Sequence, residues 1–290
     1  MLLGGCSNFF VRASSSLFFP VPCNLFPVTY PLHMALTSPD EAIKERVLAI
    51  QEYSLLAGEA IANLFRKPRY VADMLMQADF IGVGSLPIVV LTGLSIGAVL
   101  ALQTSSTLQQ FGSINLTGQL VSFSMIKEIG PVLTSLMLAG RAATGMASEL
   151  GSMKVTEQID AMRALGTDPI QKLVTPRMIA TGIMLPMLTI VADFVGLIGG
   201  YIIAYFQIGL TTSRYWTSAY QALEVNDIVQ GLLKPFVFAF IISLVGCFYG
   251  LRTTGGTQGV GLATTKAVVA ASVWVFVVTS LLTRIFVNLH

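Results

Sequence analysis

The sequence has 290 residues, 54% of them hydrophobic and 11% charged. Soluble domains carry about 25% charged residues, so this composition excludes an ordinary soluble fold and points to a lipid solvent. A net charge of +2 supplies no basic surface for nucleic acid. The cysteines Cys6, Cys23 and Cys247 form no CxxC and have no histidine beside them, so neither a disulfide framework nor a metal site is expected.

Residues 1–36 hold one charged side chain, Arg12, and four prolines, Pro20, Pro22, Pro27 and Pro31. Apolar pieces such as Leu17–Phe19 are too short to span a bilayer. Two readings stay open for this segment: a leader, since it has serines and no acids, or a start set too far upstream, with Met34 as the first residue. Ser38-Pro39-Asp40-Glu41 then begins a helix, with Ser at the N-cap, Pro in the first turn and acids facing the positive helix end. Over residues 37–79, Ile43, Val47, Ile50, Ala57, Ile61 and Leu64 recur at helical spacing. Lys44, Glu45, Arg46, Glu52 and Glu59 fall mostly between them. This predicts an amphipathic helix lying in the membrane interface, with packing on a soluble partner as the alternative. The cluster Arg66, Lys67 and Arg69 places it on the cytoplasmic side.

From Phe80 to Ile126 no residue is charged. A first span is predicted near Leu86–Leu102, followed by a polar stretch Gln103–Gln110 and a turn-rich Gly112–Gly118. A second span runs from about Leu120 to Ala147 and contains Lys127, Glu128 and Arg141. A third covers Met178–Phe206 with Asp193 inside it. A fourth is Pro235–Leu251, with Lys234 at its start. The Gly-rich Arg252–Gly261 reads as a flexible connector, and a fifth span is Ala267–Thr283. Each core is near the roughly 20 residues that a bilayer requires. Five spans put the two ends of the chain on opposite sides. Loop 149–177 carries Lys154, Arg163, Lys172 and Arg177, and loop 252–266 carries Arg252 and Lys266, whereas loop 103–118 carries no cation. Basic loops mark the cytoplasm, so the N-terminus is predicted inside. Gly93 with Gly97, and Gly196 with Gly200, are GxxxG pairs that indicate close helix packing, within a bundle or between copies.

Catalytic and metal motifs are missing from the sequence: there is no GxxxxGK[ST], GxSxG or HExxH, and His33 and His290 have no ligand partners nearby. No cofactor is expected. The intramembrane charges carry more information, since a charge in a span faces a cavity or a partner. Lys127 and Glu128 are adjacent, so their side chains diverge by about 100° around a helix and do not neutralise each other face to face. Either these groups line a polar route, or Lys127 and Lys234 snorkel to an interface while Glu128 pairs structurally. Between spans two and three, Met153, Ile159, Met162 and Leu165 give an apolar stripe, and Lys154, Glu157, Asp160 and Arg163 a charged face. Gly166 fits a C-cap and Pro169 a stop. A short amphipathic helix near Leu150–Leu165 is predicted, suited either to docking in a partner's groove or to lying on the membrane.

In this region the sequence resembles a known family. Glu128-Ile-Gly-Pro-Val-Leu-Thr134, Ala139-Gly-Arg141, the run Ala147–Ala161, Gly166-Thr-Asp-Pro169 and Thr175-Pro-Arg177 are similar to the MlaE-type permeases of Mla/Mce lipid transporters. The likeness covers roughly Glu52 to the C-terminus, and residues 80–290 are identified as the permease domain. It implies an all-α integral membrane protein of about five spans, working as a homodimer in a bacterial inner membrane. ABC ATPase subunits on the cytoplasmic side and an MCE-domain substrate-binding protein are the implied partners, and phospholipid is the implied cargo. It further implies that ATPase coupling falls to Glu149, Lys154, Glu157, Gln158, Asp160 and Arg163, and the lipid pathway to Lys127, Glu128 and Lys234. Some relatives carry an acid in the last helix where this chain has Thr279 or Ser280. Two rival expectations are a proton-coupled secondary transporter using Glu128 or Asp193, and a non-transporting scaffold for an MCE protein.

Overall fold

The computed structural model describes residues 39–64 and 70–288, with side chains from Val47 onward. Residues 1–36, the Ser38 cap, the side chains of Ile43, Lys44, Glu45 and Arg46, the Arg66, Lys67 and Arg69 cluster and His290 lie outside that description. The chain divides into two compact units, residues 1–49 and 50–290. Of the first, residues 39–49 are described; they open the helix α1 (Pro39–Asn63).

Within the second unit, the remainder of α1 packs through Tyr53, Leu56, Ala57 and Ala60, an i, i+3, i+4, i+7 set that forms one helical face. Ile50 and Ile61, from the predicted stripe, are exposed on the neighbouring face. α2 (Val71–Ile81) and α3 (Leu86–Gln110) follow, joined by one 3₁₀ turn, Val83–Ser85. Helix continues through Gln103–Gln110, which the sequence suggested was a connecting stretch. The reason is local: Ser105, Ser106 and Thr107 donate their hydroxyls to carbonyls of Leu102 and Gln103, so these side chains are satisfied without leaving the helix.

The second span is built from α4 (Thr117–Ser124), α5 (Gly130–Leu138) and α6 (Thr144–Val155). Two π turns, Met125–Ile129 and Ala139–Ala143, separate them. Such turns interrupt the regular ladder and recur at functional sites. The helix expected over Leu150–Leu165 is two pieces. α6 ends at Val155, Glu157 takes a left-handed conformation at φ 58°, and α7 (Gln158–Ala164) restarts after it. A third π turn, Ile170–Val174, leads into α8 (Thr175–Phe206). α9 (Thr212–Gln221) precedes α10 (Val225–Leu251) and α11 (Gly256–Asn288). Two boundaries differ from expectation. α10 starts at Val225 behind a capping box formed by Glu224 and Asp227, so Lys234 lies inside the helix and not at its start. α11 starts at Gly256, so Gly259 and Gly261 are helical and the connector is short. Five stretches among the described residues, all helical, are long and apolar enough to cross a membrane.

Glycines set the closest helix approach. Gly93 and Gly97 of α3 face the backbone of Ala192 and Gly196 of α8, and Gly199 faces the Leu94 carbonyl. The GxxxG pair of span one thus meets that of span three within the chain, the close contact such spacing permits. Thr134 and Thr189 share a buried 2.8 Å hydrogen bond between α5 and α8. α11 lays Ala263, Ala267, Ala271 and Val275 inward, four residues apart, while Val273, Phe276, Val277 and Leu281 stay exposed.

Candidate functional site

The first π turn brings the charged residues together. A proline offers no N–H, so Pro131 leaves the carbonyl of Lys127, four residues earlier, without its helical donor. The Lys234 ammonium fills that position, donating to the Lys127 carbonyl at 2.9 Å. It also donates to Glu128 Oε1 at 2.5 Å and to Thr283 Oγ1 at 3.2 Å. Thr283 in turn donates to Glu128 Oε1 at 2.9 Å. Three donor directions are all an ammonium has, and Lys234 is fully buried with each of them used. Its expected alternative role, snorkelling to an interface, is excluded by that burial.

Lys127 diverges from Glu128, as adjacent helix positions require. It forms a 2.8 Å ion pair with Asp227, with 21% of its side chain exposed against 6% for Asp227. Its ammonium also lies 4.4 Å from the Phe123 ring centre, a favourable cation–π placement. Asp227 caps α10 through the Glu224 N–H and holds Lys127 at the same time. Glu128 keeps 37% of its side chain exposed. The network therefore has a sealed floor at Lys234 and two charges, Lys127 and Glu128, still reachable from outside the bundle.

The structure brings Lys127, Glu128 and Lys234 together and adds Asp227, Thr283 and Phe123, which sequence reasoning missed. The capping-box spacing Glu224–Asp227 was a usable signal for the first. Thr279 and Ser280 donate to the Val275 and Phe276 carbonyls of their own helix and do not enter the network. Gly231 of α10 faces the Ile126 carbonyl, so α10 sits directly on the π turn.

The residues around α7 form a second cluster. Lys154 donates to both Asp160 oxygens at 3.0 and 2.8 Å, and Arg163 lies 3.6 Å from the same carboxylate. The hydrogen bond from Lys154 is the main reason the Asp160 carboxyl sits below the ordinary carboxylate range. Glu157 occupies the left-handed turn, and Gln158 opens α7 on the exposed side. Of the predicted stripe, Ile159 is fully buried and Met153 and Met162 pack on the core, whereas Leu165 is 83% exposed. Glu149 stands apart from this cluster. It pairs at 2.8 Å with Arg177, a 4% exposed side chain in the first turn of α8, whose guanidinium also donates to the Leu173 carbonyl at 2.6 Å. Asp193 lies against Gly130, with its Oδ1 buried and unpartnered. No group of His, Cys, Asp and Glu suited to a metal occurs among the described residues.

Comparison with known proteins gives concordant results. A family model described as permease MlaE matches residues 74–285. A probable ABC transporter permease protein of Rickettsia prowazekii is 41% identical over 234 residues, covering 81% of this chain and 90% of that protein. The intermembrane phospholipid transport system permease protein MlaE of Haemophilus influenzae is 34% identical over 213 residues, covering 73% of this chain and 82% of that one. The chloroplastic protein TRIGALACTOSYLDIACYLGLYCEROL 1 of Arabidopsis thaliana is 34% identical over 232 residues, covering 80% and 66% respectively.

Proposed function

This chain belongs to the MlaE permease family, and we propose that it is the membrane subunit of an ABC transporter that moves phospholipid or a related lipid. In this reading it works as a homodimer in a bacterial inner membrane, with its N-terminus in the cytoplasm. Separate ATPase subunits energise it, and an MCE-domain protein exchanges lipid with it on the far side. The observation that carries the reading is the match over residues 74–285 to a permease family, in a chain whose second, fourth and fifth apolar stretches share a charged network.

The chemistry is consistent with that role. A lipid phosphate is an anion with strong acceptor oxygens, and Lys127 is the partly exposed cation beside the network. Glu128 and Asp227 keep the cations paired while no headgroup is present, which lowers the penalty of charge in a low-dielectric setting. The apolar faces around them suit acyl chains. The charged turn at Lys154, Asp160 and Arg163 suits an ATPase groove, and the left-handed residue Glu157 separates α7 from the end of span two. Only 11% of the most apolar stretch of α11 is buried within the chain, which leaves a face for a second copy. Residues 37–79 would rest α1 at the membrane surface.

Reconstitution with the ATPase subunits in lipid nanodiscs tests the reading. Phospholipid is expected to stimulate ATP turnover, and reversing the charges at Asp160 and Arg163 to uncouple turnover from lipid movement. Transport that runs on a proton gradient without ATP would establish the secondary-transporter alternative instead. Assembly with the MCE protein and no lipid movement would establish the scaffold.

A further inference from the structure

A cavity of about 330 Å³ lies between the end of α10 and the start of α11, well separated in the sequence from Lys127 and Glu128. That volume falls in the range of small-ligand sites, roughly 300–1,000 Å³. Its lining includes Tyr249, Arg252, Thr254, Gly259, Leu262 and Lys266. The composition is two-sided. Arg252, Lys266 and the Thr254 hydroxyl supply cations and a donor. Tyr249, half-buried, and Leu262, 63% exposed, supply apolar wall.

Position adds to chemistry. Arg252 directly follows the last residue of one spanning helix, and Lys266 lies less than three turns into the next. Residues at the ends of spanning helices sit at the level of lipid headgroups. Thr253 also packs on Gly151, three residues before Lys154, which places the cavity on the same side as the charged turn. Arg252 spends its Nε on Glu52 at 3.3 Å, and a guanidinium has further N–H donors to give. Lys266 is exposed and has no hydrogen-bond or ion-pair partner among the described residues. Two cations against one carboxylate leave the cavity with a net positive charge.

We propose that this cavity binds a phosphate-bearing anion at headgroup level, with Arg252 and Lys266 as its charge partners, the Thr254 hydroxyl as a donor and Leu262 and Tyr249 against the first carbons of a lipid chain. The site is distinct from the Lys127 network and would make the protein responsive to anionic lipid beside the charged turn.

Native mass spectrometry of the full chain in detergent tests this, with phosphatidylglycerol and phosphatidylcholine of identical acyl chains as probes. The wild type is expected to prefer phosphatidylglycerol. Near a membrane surface one basic residue contributes about 1 kcal/mol, so Lys266→Gln should weaken phosphatidylglycerol about fivefold, leave phosphatidylcholine unchanged, and be rescued by Lys266→Arg. The same loss in a Lys127→Gln background separates this cavity from the central network. Millimolar inorganic phosphate that displaces the lipid in a Lys266-dependent way assigns a free anion as the occupant, and phosphate without effect assigns the lipid headgroup. Equal binding of the two lipids, or a Lys266→Gln variant with unchanged phosphatidylglycerol affinity, overturns the proposal.

Discussion

Lys234→Met is the perturbation for which the structure gives the clearest magnitude. Methionine keeps the apolar stem out to the Cε and removes the ammonium that is fully buried among Glu128, Thr283 and the Lys127 carbonyl. Breaking a buried ion pair from one side costs about 3–5 kcal/mol, because the other charge stays behind unpaired. Glu128 keeps 37% of its side chain exposed, so water offsets part of that and the lower end applies. The Lys127 carbonyl, already deprived of a helical donor by Pro131, loses its replacement at about 1 kcal/mol more. The expected destabilisation is therefore about 4 kcal/mol, read from unfolding midpoints in mild detergent. Adding Glu128→Gln removes the stranded charge, and replacing both members of a buried pair is close to neutral. The double variant should regain about 2 kcal/mol or more and keep the loss that belongs to the carbonyl. A single variant within about 0.5 kcal/mol of wild type, or a double variant less stable than the single, would refute the reasoning.

Other outcomes follow from the same geometry. Gly97→Val would place a branched side chain on the Gly196 backbone. Since backbone yields less than a side chain, the loss should reach the upper end of overpacking costs, about 3 kcal/mol, measured as folded yield and midpoint; an unchanged midpoint contradicts the α3–α8 contact. Asp160 sits below the ordinary carboxylate range because of Lys154, so the order it gives the turn is present above that ordinary value and is lost as pH falls through the lower folded value. Protection of the amides of residues 154–163, taken relative to the intrinsic exchange rate at each pH, should therefore fall on acidification, and protection that holds or rises at low pH would contradict the pairing. Asp193→Asn replaces a carboxyl whose Oδ1 has no partner with an amide of the same shape. Stability should stay within about 1 kcal/mol and ATP-driven transport should continue; loss of transport would instead support a proton relay.

The five spans and the charged turn were legible because lipid imposes long apolar runs and leaves charges only where they have partners. Boundaries were less legible wherever polar residues continue a helix past the apolar run. Ser105, Ser106 and Thr107 return their hydroxyls to the backbone and look like loop in the sequence. Lys234 looked like an edge residue because the apolar run begins at Pro235, yet the helix begins at Val225 behind its own cap. The partners Asp227 and Thr283 were hidden for a different reason. They reach Lys127 and Glu128 from other helices, and no local spacing encodes which helices meet. The break at Glu157 was also missed, since a left-handed glutamate carries none of the usual glycine signal.

The central claim is that this chain passes phospholipid with ATP as the energy source. Its most direct test is transfer of a fluorescent phospholipid from proteoliposomes holding the permease and its ATPase subunits to MCE-protein-bearing acceptor vesicles. The account predicts transfer that requires ATP and is lost in Lys127→Glu without loss of assembly. Transfer at equal rate without ATP, or with Lys127 reversed, would contradict it.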